Sequence, residues 1–309
     1  MAGWFLKRCL GVPSVRRRAF RFIRKHLLRH WGAPFRARYY GHDLLFPGRH
    51  DLIVLTNDLP LFNTPLRRLA QAVREEDRGL RMLDIGANIG EGVPLADPRA
   101  GDRFWLVEGS NEFLPFLKIN VAGRTDVEVF PIYLSESAGV TRGSEVVVAG
   151  NARLAADLDG EIRFETLDRI FPESEGIGPN LLKIDVEGHE PRIFRGGLSM
   201  LKRFRPVIFM EWYPRLLAEF SQDDLSPLKI LQSAGYSEAV VYDNHGFLIE
   251  MLALDDEARL RELAARSRTR ERFYFDLAVF GPEQSRLREA FVKSEADFYQ
   301  SHVAPSDLG

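Results

Sequence analysis

Short hydrophobic runs alternate with amphipathic segments along most of the chain after residue 80. Runs of this length that end in polar or turn-forming residues predict β-strands, and apolar residues at every third or fourth position between them predict helices. This alternation is typical of an α/β fold whose mostly parallel sheet is covered by helices on both faces. The predicted strands begin at residue 82 and recur at 103–108, 127–134, 181–185, 207–211, 239–242 and 273–280.

Helix starts are marked by a polar capping residue that precedes a proline or an apolar pattern. Polar helices are also predicted at 255–266 and 283–300, whereas the segment 136–165 is irregular and is interpreted as an excursion near the sheet edge. The predicted starts are Thr64-Pro65, Ser110-Asn111, Glu190-Pro191 and Ser226-Pro227.

The first 42 residues are strongly basic, with eleven Lys or Arg and no Asp or Glu. Within residues 14–31, Phe20, Ile23 and Leu27 fall on one side of a predicted helix, with most of the basic residues around the other. One interpretation is peripheral contact with an anionic membrane surface or an acidic partner. The other is an ordinary N-terminal helix with a solvated basic face.

The rest of the composition favours a cytoplasmic globular protein. If the protein contacts the inner face of the membrane, the basic segment is the part of the chain expected to do so. The net charge of −2 gives no bias toward nucleic acid, and Cys9 is the only cysteine, which excludes an intrachain disulfide. No apolar run is long enough for a membrane span. We predict a basic segment 1–42, one large domain 43–282, and a C-terminal helix and tail 283–309.

Polar residues and glycines follow several of the predicted strands. A ligand of an open parallel sheet binds beyond the carboxyl ends of its strands, so these residues are the candidate site. We expect a cofactor half at about 80–135 and a catalytic half at about 165–282. The candidates are Asp84, Gly86, Ala87, Asn88, Gly90, Glu108, Ser135, Asp185, Glu187, His189, Glu211 and Trp212.

The turn after the first strand indicates a nucleoside ligand. Glycines at 86 and 90 let the backbone approach a ligand closely. A dinucleotide fingerprint would need glycine where the chain has Asn88 and Glu91, and no phosphate-binding GxxxxGK[ST] motif is present. Glu108, at the end of the second strand, can accept hydrogen bonds from both ribose hydroxyls. Alternatively, it caps the helix that starts near Ser110.

Two blocks of sequence resemble the FkbM family of S-adenosylmethionine-dependent methyltransferases. They are Leu83-Asp-Ile-Gly-Ala-Asn-Ile-Gly90 and Leu182-Lys-Ile-Asp-Val-Glu-Gly-His-Glu190, supported by Val107-Glu108, Glu165-Thr-Leu-Asp168 and Pro206-Val-Ile-Phe-Met-Glu211. The resemblance implies a Rossmann-like sheet with a reversed last strand. It also implies S-adenosylmethionine as cofactor and methyl transfer, usually to a hydroxyl of a sugar or natural product.

Carried over by position, the resemblance assigns the cofactor loop to Asp84, Gly86, Ala87, Asn88 and Gly90. It implies that Glu108 is the ribose clamp, with Ser135 a weaker candidate for the adenine edge. The segment after Gly90 is short and contains two prolines, so a truncated first crossover helix is expected.

A hydroxyl acceptor needs a base within hydrogen-bond reach. We expect Asp185 nearest the reacting centre, with His189 or Glu211 as proton acceptor or acceptor ligand. Glu187 and Trp212 are candidate acceptor contacts, although Trp212 could equally be a core residue, as could its neighbour Tyr213. No metal is expected, although Asp185 and Glu211 are also chemically able to hold a divalent cation.

The leading hypothesis is an O-methyltransferase for a sugar, glycan or glycolipid precursor. Alternatives are an enzyme of the same fold that methylates nitrogen or a lipid, and a non-catalytic cofactor-binding module of a polysaccharide assembly complex. Asp168 and Glu190 are interpreted as structural residues, because acids are favourable at helix starts.

Overall fold

The computed structural model describes residues 32–48, 50–142, 144–148, 151–155, 161–172, 176–269 and 273–302. The basic segment 14–31 lies outside these residues, so its contact with a membrane or an acidic partner stays a prediction. No helix in the described part of the chain is both long and apolar enough to cross a membrane.

The described chain contains fifteen strands and eleven α-helices. The strands are β1 Phe35–Tyr39, β2 His42–Phe46, β3 Arg81–Ile85, β4 Arg103–Val107, β5 Val127–Phe130, β6 Tyr133–Leu134, β7 Gly139–Arg142, β8 Ser144–Val148, β9 Asn151–Ala155, β10 Glu161–Glu165, β11 Leu181–Ile184, β12 Val207–Trp212, β13 Glu238–Asp243, β14 Leu248–Ala253 and β15 Phe275–Phe280. The helices are α1 Leu52–Asp58, α2 Thr64–Asp77, α3 Gly92–Leu95, α4 Leu114–Asn120, α5 Leu167–Ile170, α6 Glu190–Arg195, α7 Leu198–Phe204, α8 Pro214–Glu219, α9 Ser226–Ser233, α10 Glu257–Thr269 and α11 Ser285–His302.

An eight-stranded sheet forms the centre, in the order β14-β13-β15-β12-β11-β3-β4-β5. Strands β12, β11, β3, β4 and β5 are parallel, whereas β15 runs antiparallel to both of its neighbours. The predicted α/β class and the reversed last strand are therefore confirmed. The short helix α3 confirms the truncated first crossover.

Two sequence predictions for strands differ from the structure. The single strand predicted at 127–134 divides into β5 and β6, and Pro131 between them has no backbone N–H to continue a ladder. Strand β6 pairs with β10 in a separate three-stranded sheet, which also contains β7 from the irregular segment. The edge strand Leu248–Ala253 was not predicted, although it pairs antiparallel with β13.

Side chains on the two faces of the sheet belong to two separate hydrophobic cores. Helices α5 to α7, α9 and α10 contribute to one core, for example through Phe194 and Leu263. The hairpin β1–β2 and helices α1, α2, α4 and α11 contribute to the other, for example through Phe46 and Leu69. Since residues alternate along a strand, each strand supplies both cores. The fold is thus three layers with a covered central sheet.

The N-terminal hairpin is tied to the main domain by Asn120 of α4. The amide of Asn120 donates to the carbonyl oxygens of Leu45 (3.0 Å) and Ile89 (2.9 Å), and its oxygen accepts from Leu45 N (2.7 Å). The predicted domain boundary after residue 42 falls inside this hairpin. The hairpin leads directly into α1, which reaches the candidate site.

A buried ion pair joins β3 to β11. Asp84 and Lys183 are direct neighbours across the two parallel strands, and Lys183 Nζ lies 3.0 Å from Asp84 Oδ1. The Asp84 side chain is buried, and Lys183 Nζ also donates to the Gly86 carbonyl oxygen at 3.1 Å. One cation therefore balances a buried carboxylate and holds the turn that follows β3.

We expect Lys183→Met to destabilise the protein by about 3–5 kcal/mol, because it leaves the Asp84 carboxylate buried without its cation. Urea denaturation followed by circular dichroism measures this change. Adding Asp84→Asn should recover much of the lost free energy of unfolding, because the buried charge is then gone. A double variant as unstable as Lys183→Met alone would contradict this account.

Candidate active site

A cavity of about 640 Å³ opens where several strands of the sheet end, and its volume is in the usual range for a small-molecule site. Residues at the carboxyl ends of β3, β4, β11 and β12 line it, as the strand-end argument predicted. The described residues Gly86, Asn88, Glu108, Asp185, Glu187, His189 and Glu211 from the sequence-based candidates all line this cavity.

The turn after β3 has a backbone that suits close approach of a ligand. Gly86 (φ +78°), Asn88 (φ +49°) and Gly90 (φ +85°) adopt left-handed conformations, which glycine and asparagine tolerate. A Cβ atom on Gly86 would collide with the Asp185 carbonyl oxygen, so no side chain fits there. Gly86 and Asn88 line the cavity, which supports a role in binding a ligand.

Glu108 connects the turn after β3 to the segment that leads into α4. Its carboxylate accepts hydrogen bonds from Asn88 N and from Ser110 N, both at 2.7 Å, while it also lines the cavity. Ser110 Oγ in turn accepts from Phe113 N at 3.2 Å. Glu108 therefore holds two loops together and lines the cavity, while its role as the ribose clamp stays a prediction.

His50 enters the site from the N-terminal segment and was missed by the sequence analysis. It is buried, and its Nε2 pairs with Asn88 Oδ1 at 3.1 Å. Burial lowers the pKa of His50, although the hydrogen bond with Asn88 opposes this shift, so the imidazole is neutral near pH 7. The surrounding sequence has no motif that would have identified it.

The turn after β11 places Asp185, Glu187 and His189 on the cavity wall. Asp185 Oδ2 lies 4.0 Å from Lys183 Nζ. Burial, assisted by the positive charge of Arg192, lowers the pKa of His189 to about 4. Within the described part of the protein, His189 Nε2 is buried without a hydrogen-bond partner, so it is available to a ligand.

Glu211 faces Asp276 across the antiparallel pair β12–β15. Burial, followed by the negative charges of Asp185 and Glu187, raises the pKa of Glu211 well above its usual range. Burial and Asp185 likewise raise the pKa of Asp276. A carboxyl pair in this setting retains protons that exposed carboxyls would lose.

The sequence analysis missed Asp276 and Tyr274 because it considered only residues that follow strands. Since β15 is reversed, the amino end of this strand enters the cavity, and Asp276 and Tyr274 lie at that end. The Tyr274 ring lies 5.7 Å from the ring of Tyr213, which also lines the cavity.

Glu91 is a further acidic group that the sequence analysis considered only as a missing glycine. It lines the cavity, and burial raises its pKa to about 8, although Lys183 opposes the shift. An apolar wall lies elsewhere on the cavity surface and comes from α1, α2 and the loop between them. Its residues are Leu52, Leu55, Leu59, Phe62 and Leu66.

The predicted acceptor contact of Trp212 is wrong. Because successive side chains on a strand point to opposite faces, Glu211 on the cavity side leaves Trp212 on the other. Trp212 is fully buried in the opposite core, where its indole N–H donates to the Asp224 carbonyl oxygen at 2.7 Å. It belongs to the core, which was the alternative interpretation.

The predicted adenine contact of Ser135 also requires correction. Ser135 does not line the cavity. It lies beside the small sheet, where its backbone N–H donates to the Glu165 carbonyl oxygen. Asp84, Ala87 and Gly90 do not line it either. Asp84 lies beneath the turn and pairs with Lys183, so these residues shape the loop rather than contact a ligand.

Asp168 and Glu190 are structural, as predicted. The Asp168 carboxylate accepts from Met200 N at 2.8 Å and from Ser199 N at 3.2 Å, which caps the start of α7. Glu190 accepts from Val186 N and Gly188 N, both at 3.3 Å, within the turn after β11. Among the described residues, no group of three or more His, Cys, Asp or Glu side chains is arranged to hold a metal ion.

Comparison with known proteins identifies the family. Residues 84–238, about half of the chain, match the methyltransferase FkbM domain. A curated relative, the hexuronic acid methyltransferase AglP of Haloferax volcanii, is 26% identical over 147 residues. This match covers 46% of the present chain and 59% of the relative, so the chain spans less than two thirds of that protein.

Solved structures show more distant similarity. The methyltransferase FkbM of Methylobacillus flagellatus is 20% identical, with a TM-score of 0.37 over 52% of this chain and 39% of that one. The fibrillarin pre-rRNA processing protein of Methanococcus jannaschii is 9% identical, with a TM-score of 0.40 over 80% of this chain and 83% of that one.

The cavity joins the two motifs of the matched domain with residues on either side of it. Gly86 and Asp185, from the two motifs, line the same space as His50 and Asp276, which lie outside residues 84–238. The glycine turn and the acid-rich turn follow adjacent strands, β3 and β11. The chain belongs to the FkbM family of methyltransferases, and its cofactor is S-adenosylmethionine.

Proposed function

We propose that the protein transfers the methyl group of S-adenosylmethionine to a hydroxyl oxygen of a sugar, glycan or glycolipid precursor. The observation that carries this proposal is that one cavity holds both the glycine turn with Glu108 and the half-buried carboxyl group of Glu211. The first can bind a nucleoside, and the second can remove a proton from a hydroxyl. The name of the AglP relative, a hexuronic acid methyltransferase, supports a sugar as acceptor.

The residues of the turn after β3 fit the cofactor. Gly86 leaves room that a Cβ atom would remove, and the Glu108 carboxylate, held by Asn88 N, would accept hydrogen bonds from the ribose hydroxyls. When bound, S-adenosylmethionine supplies an electrophilic methyl group on a sulfonium that needs no further activation as a leaving group. The chain itself must orient the acceptor, exclude water and remove a proton.

Glu211 is the group best suited to remove the acceptor proton. An efficient base has a pKa near the working pH, and burial with the charge of Asp185 raises the pKa of Glu211 toward that range. The pKa of His189 is about 4, which makes its imidazole a weak base. We assign His189 Nε2 to a hydrogen bond with the acceptor, and Asp185 to electrostatic attraction of the positively charged cofactor.

We expect Glu108→Gln to raise the Kd for S-adenosylhomocysteine by about tenfold or more, because a hydrogen bond to a charged acceptor weakens. Calorimetry measures the affinity, with Glu112→Gln as control, since Glu112 is exposed. The 2′-deoxy analogue should bind wild type less tightly than the parent compound, and the variant should discriminate less. If the variant discriminates as strongly as wild type, Glu108 only holds the loops.

We expect Glu211→Gln to lower kcat by about 10²–10⁴-fold, because the acceptor hydroxyl then has no base. The measurement is transfer of a labelled methyl group to glycan extracts, with Kd for S-adenosylhomocysteine as the check on folding. Glu219→Gln is the matched control, since Glu219 is an exposed carboxylate on α8. A variant that keeps most of the wild-type kcat would show that Glu211 is not the base.

The rate should rise with pH through the raised pKa of Glu211, above its ordinary value of 4.5. The base acts only when ionised, and its burial beside Asp185, Glu187, Asp276 and Glu190 keeps the proton bound at low pH. A profile of kcat/KM between about pH 5 and pH 9 measures this ionisation. A flat wild-type profile throughout this range would contradict the assignment.

A further inference from the structure

The cavity wall carries an excess of acidic side chains. Besides Glu108, six acidic residues line it, whereas Lys183 is the only lysine and no arginine is present among the described lining residues. Two of the six, Glu211 and Asp276, lie beside the aromatic pair Tyr213–Tyr274. The six are Asp51, Glu91, Asp185, Glu187, Glu211 and Asp276.

Lys183 is committed to the protein itself. Its Nζ lies 3.0 Å from Asp84 Oδ1 and donates to the Gly86 carbonyl oxygen at 3.1 Å. Burial by itself would lower the pKa of Lys183, but the carboxylates of Asp84, Asp185 and Glu91 raise it above the usual range. The cation therefore balances Asp84 and holds the turn, so an anionic ligand would have to compete for it.

Two histidines of the wall, His50 and His189, add no positive charge near neutral pH. Burial lowers the pKa of His50, and it lowers the pKa of His189 to about 4. His245, which also lines the cavity, is exposed. Neutral imidazoles can exchange hydrogen bonds with hydroxyl groups, but they offer no charge to a carboxylate.

The acidic groups of the cavity already disfavour one another's ionisation. Burial and neighbouring carboxylates raise the pKa of Glu211 and of Asp276, and burial raises the pKa of Glu91 to about 8. A further carboxylate placed among them would raise these values again, because like charges in a partly buried site disfavour ionisation. The cofactor adds one net positive charge, but a carboxylate acceptor would still lie beside the carboxyl groups of Glu108, Asp185 and Glu187.

We propose that the methyl acceptor is a sugar without an acidic group, neutral or amine-bearing, and that the cavity rejects uronic acids and other anionic sugars. This inference rests on the proposed sugar methylation. It departs from the substrate named for the AglP relative, so the two proteins would share the reaction but differ in the charge of the acceptor.

The test compares acceptors that differ only in charge. A pool of acidic oligosaccharides is divided, and in one half the carboxylates are converted into neutral amides; a pool of neutral oligosaccharides accompanies them. Labelled methyl transfer by the full chain should favour the amidated half over the untreated half by about tenfold or more. Equal or better labelling of the untreated acidic half would overturn the inference.

If the proposed sugar methylation is itself wrong, the labelling experiment gives a different result. If S-adenosylhomocysteine binds in calorimetry but none of the three pools is labelled, sugar methylation itself is wrong, and the charge selection fails with it. Labelling of the neutral and amidated pools without the acidic pool supports both proposals.

Two variants test whether the acidic wall causes the selection. Asp185→Asn and Glu187→Gln each replace a cavity carboxyl group by an amide of nearly constant shape, and each should bring the ratio of amidated to acidic labelling several-fold closer to one. The ratio is internal to each variant, so a loss of overall rate does not affect it. Glu219→Gln, outside the cavity, should leave the ratio unchanged. An unchanged ratio in both cavity variants would contradict the proposed cause.

Discussion

The ion pair between Asp84 and Lys183 is the constraint on which the site depends. A buried carboxylate tolerates few positions of its cation, so this pair fixes the register of β3 against β11. Because Lys183 also holds the Gly86 carbonyl oxygen, the turns that follow the two strands are placed relative to each other. The two sequence motifs are therefore joined by one ion pair, because Asp84 belongs to the first and Lys183 to the second.

The sequence could predict those parts of the site that follow a parallel strand, since a strand end is a local signal. The glycine turn, Glu108 and the acid-rich turn were found in this way. Cavity residues that do not follow a parallel strand lack such a signal. Asp276 lies at the start of the reversed strand β15, and His50 follows the N-terminal hairpin in a segment without a motif. Trp212 was misplaced for another reason, because a one-residue step along a strand changes the face of the sheet.

In the proposed reaction, one group of carboxyls would have two opposing roles. Burial and the neighbouring acids raise the pKa of Glu211, which would let it accept a proton, whereas the same acids would limit which molecules can bind beside it. A substitution that widens the range of acceptors would then also weaken the proposed base.

The tie between Asn120 and the N-terminal hairpin gives the cavity a wall that the matched family domain does not encode. The connection to α4 and the packing around it hold helix α1 and its leucines at the cavity. The residues that form this wall can therefore change during evolution while both motifs stay the same. Relatives with identical motif residues can then differ in the molecules they methylate, and motif identity alone is a poor guide to transferring a substrate between them.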